Sequence, residues 1–166
     1  MTAATFQSTI NVNLAFGVVG ELIQDGPQRV DSLTLDSTGG AVGLAYTKSN
    51  STGIASVGGT GVFAGILVNP KVYASRGVSG ATLDPTMTLP GNSQGEFLTM
   101  GTIVVSVTNA ANIGDWIEFN QTTGALKAIS PGATADAGYT IISNCTVYRN
   151  PTSAAGLVAI RLTSAN

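Results

Sequence analysis

The sequence predicts an all-β fold, a sandwich or barrel of about eight strands. Three observations predict it. Apolar residues recur at every second position in several segments, 139–149 among them, which is the period of a half-buried strand. Turn-forming clusters such as Asp25-Gly26-Pro27 and KSNSTG at 48–53 divide these segments at short intervals. No window of about a dozen residues carries the 3.6-residue apolar period of a helix.

Residues 1–30 read as an extended N-terminal arm preceding a single domain over 31–166. In STINVNLAF the residues Ile10, Val12, Leu14 and Phe16 alternate with polar or small neighbours. Gly17 and Gly20 interrupt the run, and Val18, Val19, Leu22 and Ile23 form a second apolar patch before the turn at 25–27. Such an arm either completes its own sheet or lies on a neighbouring molecule. A short alternating run at 32–35, a turn at 36–40 and a strand at 41–47 are expected to form a β-hairpin. After the polar turn at 48–53, residues 54–57 lead into GGTGVFAGILVNPK at 58–71, the most apolar run of the chain. There Val62, Phe63, Ile66, Leu67 and Val68 suit a pleated surface, whereas Gly61, Gly65 and Pro70 would each weaken a helix by about 1 to 3 kcal/mol. The run reads as a core strand whose glycines allow close approach of a neighbouring strand or subunit.

The segment RGVSGATLDPTMTLPGNSQG at 76–95 holds two prolines and many turn residues, so it is not a central strand. Loops beyond about 12 to 15 residues are uncommon in compact domains unless they serve a function or are disordered. Carrying Leu83, Met87 and Leu89, this one packs either as a flap on its own core or on a partner protein. Residues 96–107, EFLTMGTIVVSV, form a second strongly apolar strand with a kink at Gly101. The clearest hairpin follows, with WIEF at 116–119, a turn at 120–124 and a return strand at 125–129. A loop at 130–138, a long strand at 139–149, a turn at 150–152 and a strand at 155–163 close the chain.

At 166 residues the chain fits one domain that buries roughly 70% of its unfolded surface. Only 10% of residues are charged, where about 25% is usual, and a surface so poor in charge suits contact with other protein. The net charge is −2, and the seven basic residues are scattered, with no stripe to hold phosphates. Nucleic acid and anionic membranes are therefore not expected as partners. The N-terminal twenty residues lack a basic region ahead of their short, glycine-interrupted apolar piece, so neither a signal peptide nor a membrane span is expected.

With no histidine, the chain cannot build Ser-His-Asp or Cys-His machinery. Histidine's absence and a lone cysteine, Cys145, also argue against a zinc site and rule out an intrachain disulfide. Cys145 is expected to be a buried apolar filler. Asp115 and Glu118 flank the hairpin strand as a conceivable carboxylate pair. They are expected to be solvated surface groups, with Asp115 organising its turn through a side-chain oxygen. Gly59, Gly61 and Gly65 superficially suit a phosphate loop, but no Lys-Thr pair follows and a strand succeeds them. Trp116, the only tryptophan, reads as a core or interface anchor, or as the stacking platform that a saccharide-binding module needs.

The segments NVNLAFGVVGELIQDGPQRV, GGTGVFAGILVNPK, GEFLTMGTIVV and NIGDWIEFNQTTGAL, in this order, resemble the structural cement proteins of tailed bacteriophages across residues 6–163. The resemblance implies a small, jelly-roll-like decoration protein, made in the cytoplasm of the bacterial host, that binds the exterior of the major capsid protein lattice. It implies stabilisation of the expanded, DNA-filled head, self-association as a homodimer or trimer, and no catalytic, cofactor or metal residues. On this reading the bridging elements are the arm, through Phe6, Ile10, Val12, Leu14, Phe16, Val18, Val19, Leu22 and Ile23, and the loop at 78–94, through Leu83, Met87 and Leu89. The competing reading is a glycan- or receptor-binding β-sandwich of a virion fibre or adhesin, with Trp116 or tyrosines as platforms. A carboxylate-based glycosidase built on Asp115 and Glu118 ranks third.

Overall fold

The computed structural model describes residues 16–69 and 88–163. The expectations for Phe6, Ile10, Val12, Leu14, Leu83 and Met87 lie outside the described residues. Within the described residues there are twelve strands and no helix. The all-β, barrel-like class stands, with more strands than the eight expected.

One strand organises the sheet. The strand β8 (Gln94–Val107) bends at Gly101, whose φ of 128° belongs to glycine. Before the bend it pairs with β2 (Arg29–Thr34) on one side and β6 (Val62–Leu67) on the other. Beyond it, the partners are β1 (Leu22–Ile23) and β12 (Gly156–Leu162). From β12 the order runs through β11 (Tyr139–Arg149), β9 (Trp116–Asn120) and β10 (Leu126–Ile129), and β10 returns to β8 where Leu126 meets Val107. These strands close a ring. Asn109 seals the seam, its Nδ2 donating to Ala128 O and its Oδ1 accepting from Ala128 N, both at 2.9 Å. Its side-chain amide thus satisfies the backbone groups of β10 as a neighbouring strand would. A second ring uses the other half of β8, with β6, β4 (Ala45–Lys48), β5 (Ala55–Val57) and β2. It closes where Leu35, just past β2, bridges Ala55.

Each ring has its own core. The first encloses Ile103, Val105, Ile117, Phe119, Leu126, Cys145, Val147, Val158 and Ile160. The second encloses Leu35, Tyr46, Leu67, Leu89 and Phe97, with Tyr46 and Phe97 in edge-to-face contact at 5.2 Å. The wall between them is made by β4, β6 and the first half of β8, whose successive side chains point to opposite cores: Ala45, Ile66 and Leu98 to the first, Tyr46, Leu67 and Phe97 to the second. Both faces of this wall are buried. That is why residues 64–68 lack polar alternation, since a strand covered on both sides reads as a continuous apolar run. Gly65 has φ 134°, and a Cβ there would lie 2.7 Å from Leu98 O. Close approach of β6 to β8 requires glycine at this position, as the sequence predicted.

The hairpin over residues 116–129 forms as expected, with Lys127 opposite Glu118 and Asn120 Oδ1 accepting from Thr122 N and Thr123 N in the turn. The hairpin expected from 32–35 and 41–47 does not form. Its turn is present, with Thr38 N donating to Asp36 Oδ1 at 2.9 Å. The flanking strands part, however: β2 pairs with β8 and β4 pairs with β5 and β6, while β3 (Gly40–Ala41) pairs with β7 (Thr88–Leu89). A local turn signal cannot reveal that β8 pairs with β2 while β6 and β5 pair with β4.

Candidate interaction surface

The described end of the N-terminal segment lies along β8. Gly20 N donates to Val104 O at 2.8 Å, Val104 N donates to Glu21 O at 2.9 Å, and Leu22 and Ile23 pair with Ile103 and Thr102. A Cβ on Gly17 would lie 2.9 Å from Val104 Cγ2, and Gly20 at φ 80° has no room beside Asn69 N. The two glycines that interrupt the apolar pattern are therefore what allows the backbone to dock. Docking divides the apolar side chains of this segment. Val19 packs on the second core and Leu22 on the first, Ile23 is half-buried, and Phe16 and Val18 remain 42% and 56% exposed. Leu89 is buried at 3% exposure in the second core.

Next to this segment is a cluster that sequence reasoning missed. Asp25, just past β1, accepts from Arg149 Nη2 at 2.9 Å and from Arg161 Nη2 at 2.8 Å, both on Oδ2. Arg161 Nε also donates to Thr102 Oγ1 at 3.2 Å, and its guanidinium lies 3.4 Å from the centre of the Tyr148 ring. Arg149 stands 4.8 Å from the same ring. Burial by itself would raise the Asp25 carboxyl. Hydrogen bonds from Thr102 and Arg161, with the charges of Arg161 and Arg149, outweigh it and hold the group below its ordinary value. Hydrogen bonding to Arg149 and Arg161 and their positive charge likewise pull the Tyr148 phenol down. The one available signal was that Arg149 ends one predicted strand and Arg161 lies in the next, so an antiparallel pairing would bring them near each other.

The carboxylates weighed for catalysis are otherwise engaged. Asp115 Oδ2 accepts from Asn112 N at 2.8 Å and organises its turn as expected. Glu118 corrects the expectation of a solvated group, because its side chain is fully buried. Its Oε2 accepts from Asp136 N at 3.0 Å, and Lys127 Nζ lies 3.5 Å from Oε1 while contacting Asp136 Oδ2. Through Asp136, the loop at 130–138 reaches over Glu118 on the outer face of β9, which alternation alone would leave in water. Cys145 is buried as expected, and burial pushes its thiol well above the ordinary value. Trp116 is half-buried beside a cleft of about 410 Å³ where β11 bulges away from β9 between Ile141 and Thr146. Among the described residues no cluster of His, Cys, Asp and Glu could hold a metal ion.

A family model described as structural cement protein, of phages, matches residues 6–163, a span that takes in both rings, the docked segment and the arginine cluster. Among solved structures, a chain from the capsid of Myoviridae phage XM1 is similar with a TM-score of 0.67 and 18% identity, over 95% of this chain and 97% of that one. That likeness is one of fold. No curated protein matches the sequence.

Proposed function

The chain belongs to the phage structural cement protein family and is a structural protein of the virion, and from that premise we propose that it binds the exterior of the major capsid protein lattice and stabilises the expanded, DNA-filled head. The observation that carries this reading is the family match across nearly the whole chain. The charge-poor surface and the engagement of Asp115 and Glu118 in structure support a role without catalysis. Many copies bridging neighbouring shell subunits act by avidity, so that individually weak contacts together resist internal pressure. The docked segment supports a role for the arm. It anchors the chain at Gly20 to Ile23 and leaves Phe16 and Val18 as apolar contact points at the beginning of the described residues. The arm ahead of them and the loop at 78–94 are the proposed bridging elements, and self-association as a dimer or trimer would place two or three arms on adjacent subunits.

The test is deletion of residues 2–16 followed by co-sedimentation with expanded, undecorated capsids. Loss of at least about tenfold in affinity, with the fold retained by circular dichroism, is expected. Unchanged occupancy would remove the arm from the mechanism.

A further inference from the structure

Two of the seven basic residues of a chain with net charge −2 converge on a single carboxylate oxygen. The cluster therefore carries one positive charge more than it neutralises. Its two arginines are not equivalent. Arg161 is held by Thr102, Asp25 and the Tyr148 ring and is 32% exposed. Arg149 shares the same Asp25 oxygen through one nitrogen, also hydrogen-bonds to Tyr148, and is 46% exposed, so that of its five N–H donors those not turned to Asp25 and Tyr148 are available for a second carboxylate. Beside Arg161 an open cleft of about 250 Å³ runs between Pro27 and Thr163, and among the described residues that line it Asp25 and Arg161 are the charged ones.

We propose that this cluster is a docking point for an acidic side chain of the major capsid protein, which would complete a balanced arrangement of two guanidiniums and two carboxylates. The inference rests on the cement reading and deepens it by naming the chemistry of one contact. Charge complementarity selects the occupant, since a planar fork beside an existing Arg-carboxylate pair matches a carboxylate in bidentate geometry. A phosphate backbone presents repeated charges and would need a basic track. Arg149 and Arg161 form one focus with no such track in the sequence around it.

The experiment measures binding of the full chain to expanded, undecorated capsids at about 0.05 M and about 0.5 M salt, where screening differs several-fold in range. Arg149→Glu is expected to lower affinity at least about tenfold at low salt, and Arg149→Lys, which keeps the charge but not the fork, to fall between. Arg149→Gln keeps the test readable if a reversed charge beside Asp25 disturbs the fold. Parent-like binding by Arg149→Gln and Arg149→Glu, with the parent bound, overturns the inference and leaves the cement reading intact. If these variants instead lose self-association while still binding capsids, the carboxylate comes from a second copy and the assignment to the shell is overturned. A parent that does not bind capsids at all overturns the cement reading and this inference together.

Discussion

Two ionic clusters on the outside of the first ring have opposite balances. Around Lys127, two carboxylates, Glu118 and Asp136, surround one ammonium, with Tyr139 5.3 Å away and the loop at 130–138 closed over the buried member. Around Asp25, two guanidiniums surround one carboxylate, and the more exposed of them faces outward. The first cluster is folded into the structure, where removing a partner leaves a buried charge uncompensated. The second is open to water, where ion pairs add little to stability. A charge surplus left in solvent costs the fold little and is available to a partner.

Breaking the closed cluster is expected to have the largest effect. Lys127→Ala leaves Glu118 buried without its counter-ion and should destabilise the fold by about 2 to 4 kcal/mol, read as a lower denaturation midpoint. If Lys127→Ala unfolds with the parent, Glu118 is hydrated and the contrast between the clusters fails. Arg149→Gln in the same assay should move the thermal midpoint by no more than about 2 °C.

Acid tests the open cluster from its other member. The folded-state value of Asp25 lies below its ordinary one, so the unfolded chain binds the proton more readily. The resulting stabilisation is fully present above the unfolded value of about 3.9 and is lost as pH falls through the folded value. Asp25→Asn should therefore narrow the stability gap between pH 6 and strongly acid solution (about pH 3), whereas equal acid sensitivity in parent and variant would show that Asp25 is unpaired in solution. The smallest effect is spectroscopic. Tyr148 should ionise below the ordinary tyrosine value, and Arg149→Gln should shift that absorbance step upward by removing the first of its two arginine partners. A step that stays in place assigns the lowering to Arg161 alone.

Strands were legible wherever the signal was local. Trp116 to Ile129 could be read as a hairpin because alternation, Asn120 and Gly124 all act within a few residues of the turn. The run around Ile66 was identifiable as core, although its flank was not wholly inside: Val62 is 44% exposed at the start of β6. Glu118 was misread because alternation assigns a residue to a face of its strand and says nothing of what covers that face. The pairing of β2 was not legible for a related reason, since its partner β8 lies some sixty residues further along the chain, and with β2 taken there β4 pairs with β5 and β6 instead.

By itself, then, the sequence determined the all-β class, the main strands, the buried Cys145 and the need for glycine at 65, because each follows from period, turn chemistry or backbone freedom over a few residues. Tertiary structure alone decided the double ring, the covering of Glu118 and the meeting of Asp25 with Arg161, 136 residues away. Those features arise from contacts between strands whose pairing depends on which apolar faces can be buried together, and a charge gains its neighbours only after that choice is made.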